Sequence, residues 1–534
     1  MRKFLTKIYR FVIPEDKRIT KRRLELILWA FLLSLSFYPE YFGFLAWVSL
    51  VRPIMIFTSL EGRAAFNAGY FFGFFFNLFC LYWVGLVSPP GMVAAVVILA
   101  FYYAIGVFLF VKVFRINKLY GYIIFPFLWV GIEYFRTMYE IAFPWNELGY
   151  SQSYYEYISQ IASVIAVHGI SLLIVAVNVL LVQVFRKELS PERRLTSALI
   201  SAATVLALFL FGWVVTPPYP APGKISVGIL QGAVPVDVKW DKFNKQASLS
   251  IYDSLTQSLS DSACELYVWP ETAAPCYLSF DVWCQQEVGR IAAKSNSYHL
   301  VGGLGVDFGE ADQYMAYNSC YQYNPDGTLG PRYDKVKLVP FAETVPYQDY
   351  LPFLKPDAIK KVLSFIESYD MTWWSDFYAG DTTFLYQFND HYYAAIICFE
   401  STFPEYVRQY ILDGAEFIVG ITNDTWFKTS LGTHMHSRIF LMRCIENRTW
   451  GVRAANSGIS YIVDDYGQIR DEIPIEKVAA LCGKVGLFRD RSVFTKIGDF
   501  AGRFSWLITI SIAGIFLVKW LLQKVFLRRL MQSL

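Results

Sequence analysis

Charge is what this sequence has least of. Of its 534 residues, 17% are Asp, Glu, Lys or Arg, against 55% hydrophobic and 18% aromatic. Soluble globular chains carry about a quarter charged residues, so this composition excludes an ordinary soluble protein. A net charge of +3 is too small to argue for nucleic acid. Histidine is scarce as well: there are five, and only His434 and His436 lie close together. That gives no metal-ligand spacing and reads as local polar contact, so no metal site is expected. The eight cysteines are irregularly spaced, with no CxxC pair, and outline no disulfide framework. Their spacing leaves open whether Cys264, Cys276, Cys284 or Cys320 pair.

Long apolar runs are what the sequence has instead. A membrane-spanning helix needs about 20 mostly apolar residues. Seven candidates precede residue 216: Leu24–Tyr38, Tyr41–Leu60, Ala64–Leu86, Met92–Val111, Tyr120–Tyr134, Ile158–Phe185 and Leu195–Val215. An eighth runs from Phe504 to about Val518. Pro39 and Glu40 interrupt the first, and Arg52 with Pro53 predicts a kink or early end in the second. Arg52 reads equally as an intramembrane functional residue or as a snorkelling helix end. The basic stretch from Arg2 to Arg23 resembles the start of a signal peptide. The apolar run after it has no small-residue cleavage site and is followed by more spans, so it is not a cleaved signal.

Lys and Arg concentrate in alternate loops: Lys112, Arg115 and Lys118 in one, Arg186, Lys187, Arg193 and Arg194 in another, then Lys519, Lys524, Arg528 and Arg529 in the tail. Positive loops face the cytoplasm. The expected order is therefore a cytoplasmic basic N-terminus over 1–23 and a membrane domain of about seven helices over 24–215. An exported domain over 216–503 follows, then a helix and cytoplasmic tail over 504–534.

From about Lys224 to Arg489 the long runs give way to short ones. Lys224–Gln231, Leu266–Trp269, Leu300–Val306, Tyr393–Cys398 and Phe417–Ile421 read as buried strands. Helical patterns lie at Asn244–Leu259, Phe280–Ser295, Pro404–Asp413 and Thr433–Thr449. Such alternation predicts an α/β layer fold. Glu271 follows a strand that Pro270 terminates, Lys335 lies in a polar loop, and Cys398 ends the apolar strand Ala394–Ile397. Strand ends are where sites of layered α/β folds gather. Together the three types suffice for acyl transfer. A carboxylate takes the thiol proton, a lysine stabilises thiolate and oxyanion, and the Phe399 N–H offers a second oxyanion donor. Alone, each has a plainer reading: a buried small hydrophobe, a helix cap, a solvated charge.

Five stretches carry a family resemblance. They are Phe143–Gln152 (FPWNELGYSQ); Leu230-Gln231-Gly232 with Lys239-Trp240; and Trp269-Pro270-Glu271. The fourth is Tyr333-x-Lys335-x-x-Leu338-Val339-Pro340-Phe341-x-Glu343. The fifth pairs Cys398-Phe399-Glu400 with Thr422-Asn423-Asp424-x-Trp426-Phe427. In this order, on this membrane pattern, the chain resembles the apolipoprotein N-acyltransferases. These join a polytopic α-helical membrane domain to an exported carbon–nitrogen hydrolase domain, a nitrilase-like αββα sandwich. Two positions depart from that family's pattern: Ala233 stands where it usually has Asn, and Ala342 where it usually has Gly.

The resemblance implies Glu271 as general base, Lys335 as oxyanion stabiliser and Cys398 as nucleophile, supported by Glu343, Phe399 and Glu400. Glu343 is expected to pair with Lys335. Trp145, Trp240 and Trp426 are implied substrate-binding residues. The implied reaction passes an acyl chain from a phospholipid, phosphatidylethanolamine in expectation, through a Cys398 thioester to the α-amine of a diacylglyceryl-cysteine lipoprotein. It would run at the bacterial inner membrane and needs no cofactor. The aromatic run Tyr70–Phe76 reads as an acyl path or, more simply, as packed helix surface. Competing readings are a membrane-tethered amidase, a transporter and an inactive scaffold. The few ionisable residues within the spans oppose transport, and the intact Glu, Lys and Cys motifs oppose an inactive fold.

Overall fold

The computed structural model describes residues 16–39, 41–218, 223–239, 244–309, 314–348, 350–351, 376–487 and 490–532. Trp240 lies outside these residues, as does most of the basic N-terminal stretch.

The helical part opens with α1 (Lys17–Leu35), capped by the Asp16 carboxylate, which accepts from the N–H groups of Arg18 and Ile19. The second apolar run is not one helix. A 3-10 turn at Gly43–Trp47 precedes the short α2 (Val51–Thr58). Pro53 sits in the first turn of α2, where its missing N–H costs nothing, and the Arg52 guanidinium pairs with Glu25 of α1 at 2.8 Å. Next come α3 (Gly62–Leu81), α4 (Pro89–Ile116), α5 (Lys118–Phe135), α6 (Ala162–Phe185) and α7 (Pro191–Val215). The C-terminal helix α12 (Phe500–Gln532) starts slightly earlier than its apolar run and packs on α5. Gly131 makes room there for Thr509, and Phe135 stacks on Trp506. Among the described residues, five helices are long and apolar enough to cross a membrane: α3, α4, α6, α7 and α12 over Phe500–Lys524.

The strands form two six-stranded sheets, ordered β12-β1-β2-β3-β4-β5 and β11-β10-β9-β8-β7-β6. In the first, β1 (Ile225–Gln231), β2 (Leu266–Val268) and β3 (Tyr298–Phe308) are parallel. They are flanked by antiparallel β4 (Tyr314–Tyr323), β5 (Leu329–Asp334) and β12 (Ala479–Val485). The second repeats the plan. Parallel β7 (His391–Ile397), β8 (Phe417–Thr422) and β9 (Trp450–Ala455) are flanked by β6 (Leu385–Phe388), β10 (Ser460–Val463) and β11 (Ile469–Ile473).

Both faces of the central strands are covered, which is why most read as apolar runs; β9, which carries the buried Arg453, does not. Val227 and Ile229 of one sheet meet Ala395, Ile397 and Val419 of the other in the core between them. On the outer faces, α8 (Lys245–Ser258) and α9 (Val282–Ser295) cover the first sheet, and α10 (Pro404–Asp413) and α11 (Leu431–Asn447) the second. The result is the αββα sandwich.

The sandwich docks on the helices through α11, whose apolar cluster is continuous with theirs. Ala166 (φ 60) breaks α6, and the Glu446 carboxylate of α11 accepts the freed Val167 N–H at 2.9 Å. An N–H orphaned inside one layer is thus satisfied by the other.

Candidate active site

Local backbone geometry brings the reactive residues forward. Cys398 closes β7 in the left-handed region (φ 52) and opens a 3-10 turn, Cys398–Thr402. A side chain rarely adopts this conformation, and such strain concentrates where a group must be presented. Thr272, just after Glu271, is also left-handed (φ 49). The Glu271 loop lies directly on β3: a Cβ at Gly302 would come 2.2 Å from the Pro270 carbonyl oxygen. Trp269 anchors that loop by stacking on Tyr252, with centroids 4.6 Å apart, and by donating to His299 Nδ1 at 3.0 Å.

The three charged residues converge. Lys335 Nζ lies 2.8 Å from Glu343 Oε1 and 3.7 Å from Glu271 Oε1. Asn318 Nδ2 donates to Glu271 at 2.7 Å and to Glu343 at 3.1 Å, and the Asn318 carbonyl accepts the Lys335 N–H at 2.9 Å. The Asn423 N–H donates to the other Glu271 oxygen at 2.8 Å. Burial works against the Lys335 charge, but Glu343, Cys398 and Glu271 outweigh it and hold the ammonium protonated above its ordinary range. Burial pushes the Cys398 thiol up, Glu271 pushes it further, and Lys335 offsets only part. At neutral pH the resting nucleophile is therefore a thiol, and its proton must leave as it attacks.

Glu400 is wholly buried and touches no reacting atom. Its oxygens accept from Ile397 N–H at 2.8 Å, Val336 N–H at 2.7 Å and the Tyr333 hydroxyl at 2.6 Å. It thereby ties the lysine loop to the cysteine strand. On the opposite side of Cys398, its carbonyl lies 3.1 Å from His436 Nε2. His436 Nδ1 is 2.8 Å from Asp424, and Asp424 pairs with Arg453 at 2.7 Å. His436 is thus a local polar contact, as its scarcity suggested, and one that holds the nucleophile's turn.

Cys398 and Phe399 open onto an apolar cleft. One wall is a single face of α4: Gly91, Ala94, Ala95, Ile98, Leu99 and Tyr102, at helical spacing. Trp83, Trp145, Phe427 and the segment Val339–Ala342 complete it. Trp145 packs edge-on to Trp83 at 4.8 Å and lies over Phe399 at 6.2 Å. Trp426 is half-buried and does not line the cleft; its neighbour Phe427 does. Nor does the run Tyr70–Phe76, which packs among aromatic neighbours such as Phe101, Tyr103 and Trp129.

Several residues at the site were not singled out in the sequence. Lys239 Nζ donates to the Glu271 carbonyl at 3.2 Å and the Thr272 hydroxyl at 2.8 Å, and burial lowers its ammonium to about 7. It and Asn423 stood inside family motifs without a stated role. Asn318 sits in a strand whose sequence carries no such signal. Cys276 and Cys284 form a disulfide, which their spacing had left open.

A family model described as the apolipoprotein N-acyltransferase N-terminal domain matches residues 29–180, and one described as carbon-nitrogen hydrolase matches 226–476. Apolipoprotein N-acyltransferase of Geobacter metallireducens is 31% identical over 93% of this chain and 95% of its own. The Pseudomonas putida protein of that name is 31% identical over 83% and 86%. A mutant Nesterenkonia amidase from the nitrilase superfamily aligns at 14% identity and TM-score 0.37, covering 54% of this chain and 96% of its own. With a helical domain carrying spans and a two-sheet hydrolase domain, matched nearly end to end, this multi-pass bacterial membrane protein belongs to the apolipoprotein N-acyltransferase family.

Proposed function

We propose that the chain moves an acyl group from a phospholipid, phosphatidylethanolamine in the simplest case, through a Cys398 thioester to the N-terminal amine of a diacylglyceryl-cysteine lipoprotein. The observation that carries this reading is the apolar cleft running from Cys398 along α4. A hydrolase of small soluble amides has no use for an apolar slot walled by a helix long enough to cross the membrane.

In the first half-reaction Glu271 takes the Cys398 proton as sulfur attacks the ester carbonyl. Lys335 Nζ and the Phe399 N–H face the developing oxyanion. The C–O bond breaks, the departing lysophospholipid oxygen takes the proton back from Glu271, and a thioester remains. In the second, the lipoprotein amine attacks the thioester while Glu271 accepts its proton. The C–S bond breaks, the sulfur is reprotonated and an amide is released. The thioester conserves the acyl activation, so no cofactor enters the balance. In this reading residues 216–503 lie outside the cytoplasm, both termini lie inside, and the site stands over the leaflet holding both lipids, in the bacterial inner membrane.

The test is the acceptor. Purified enzyme given labelled phospholipid and a diacylated lipopeptide is expected to yield N-acylated peptide, with little free fatty acid. Ala95→Trp, which fills the α4 wall, is expected to slow transfer of long chains more than short ones. Fatty acid as the main product, whether or not peptide is present, means that water is the acceptor and the enzyme is an amidase-like hydrolase.

A further inference from the structure

Arg136 stands apart in the cleft wall. It follows α5 directly, is 2% exposed, and is the one charged side chain among the described residues that line an otherwise apolar space. Its bonds go to neutral acceptors: Asn146 Oδ1 at 2.5 Å, the Phe143 carbonyl at 2.9 Å and the Tyr103 hydroxyl at 3.5 Å. Its Nε is buried with no partner, and among the described residues no carboxylate stands within ion-pair reach. The other buried arginines behave differently: Arg443 pairs with Glu446 at 2.9 Å and Arg453 with Asp424 at 2.7 Å. A buried guanidinium without a counter-ion is costly, so the protein keeps a positive charge, with a free donor, beside the space that ends at Cys398.

We propose that Arg136 is the phosphate-recognising residue of the donor site, binding the phosphodiester of the phospholipid whose acyl chain lies in the cleft. Arginine suits that anion through its planar donor geometry and permanent charge. The neutral bonds to Phe143 and Asn146 aim the guanidinium without neutralising it. Selection of a phospholipid over an uncharged glycerolipid then follows from one residue, whatever the head group beyond the phosphate. This proposal rests on the acyl-transfer reading, but its binding measurement does not require acyl transfer.

The test measures equilibrium binding of labelled, non-cleavable diether lipids to the full-length protein in detergent. Wild type is expected to bind diether phosphatidylethanolamine at least tenfold more tightly than the matching diether glycerol. Arg136→Gln should abolish that preference, and Arg136→Lys should keep part of it. Inorganic phosphate, lacking chains to fill the cleft, should not displace the lipid at millimolar concentration. In Arg136→Gln, acylation of Cys398 by phospholipid should fall at least tenfold further than acylation by a 4-nitrophenyl acyl ester, which carries no phosphate. Equal affinity of wild type for the two diether lipids overturns the proposal, as does displacement by inorganic phosphate alone. An equal fall with the two donors in Arg136→Gln also overturns it, because it means that Arg136 serves only to hold the Phe143–Asn146 loop. If wild type binds with the stated preference yet forms no thioester from phospholipid, the acyl-transfer reading fails and the phosphate site stands.

Discussion

Lys335 is 2.8 Å from Glu343 and 3.7 Å from Glu271, so the ammonium belongs more to the supporting carboxylate than to the proposed base. This spacing leaves Glu271 available to take a proton. Glu343→Gln removes the nearer partner and lets Lys335 close on Glu271. We predict that thioester formation falls about 100-fold, the lower end of what positioned acid–base catalysis contributes. Lys335→Met should slow both half-reactions by ~100- to 1,000-fold, as expected for a lost oxyanion donor. Lys337→Met should be near wild type, since its ammonium lies over the rings of Phe403 and Tyr406. Single-turnover acyl transfer measures all three, and a dead Lys337→Met with an active Lys335→Met reverses the assignment.

The Cys398 thiol is pushed up by burial and by Glu271, which fixes a sign for its pH dependence. The neutral form dominates below the raised value, and thiolate appears only above it. Glu271→Gln should therefore be nearly inactive at neutral pH and regain acylation progressively as alkali ionises the thiol without a base. Lys335→Met should regain less. Equal rates for Glu271→Gln and wild type at pH 7 would falsify the general-base role.

Arg453, Asp424 and His436, which lead in turn to the Cys398 carbonyl, are buried. Burial alone would raise the Asp424 carboxyl, but Arg453 and His436 hold it well below the usual range. Its stabilising contribution is thus complete at neutral pH and lost only as pH falls through that depressed value. Asp424→Asn strands the Arg453 charge and should cost about 3–5 kcal/mol, the penalty of breaking a buried pair. Denaturation midpoints of wild type and variant check this, and an unchanged midpoint would show that the pair carries little.

Ala233, one of the two departures from the family's pattern, adopts φ 46. Alanine tolerates the left-handed region poorly, whereas Asn bonds locally and visits it readily. Ala233→Asn should stabilise the protein by up to ~1 kcal/mol, read as a higher melting temperature with activity unchanged. A lower melting temperature would show that the side chain has no room.

Much of this architecture is legible in the sequence, for definite reasons. Strands β1, β2, β3, β7 and β8 are central, covered on both faces, and so appear as apolar runs. Helices α8 to α11 fall within two residues of their expected bounds. Other strands were missed because their chemistry is mixed: β4 interleaves Tyr with Asn, Ser and Gln, β11 is Ile-Arg-Asp-Glu-Ile, and central β9 carries Gly451 and Arg453. The helix-spacing pattern cannot see a break such as the one at Gly43–Trp47, where the residues remain apolar but the hydrogen bonding changes. At the site, motifs carry the side chains that react, but not their distances. Asn318, which bridges two carboxylates, and the α4 face are tertiary facts: nothing local marks an Asn in a strand or small residues on an apolar helix. The aromatic run Tyr70–Phe76 takes the plainer of its two readings, packed helix surface, and the cleft lies along α4.

The most direct measurement is the covalent intermediate itself. Enzyme incubated with labelled phospholipid and no acceptor, then digested and mapped by mass spectrometry, should carry one hydroxylamine-sensitive acyl group on Cys398. Adding diacylated peptide should discharge it to the peptide amine, and Cys398→Ser should accumulate no thioester. A label on another cysteine such as Cys264, Cys320 or Cys444, or full transfer activity in Cys398→Ala, would contradict the account.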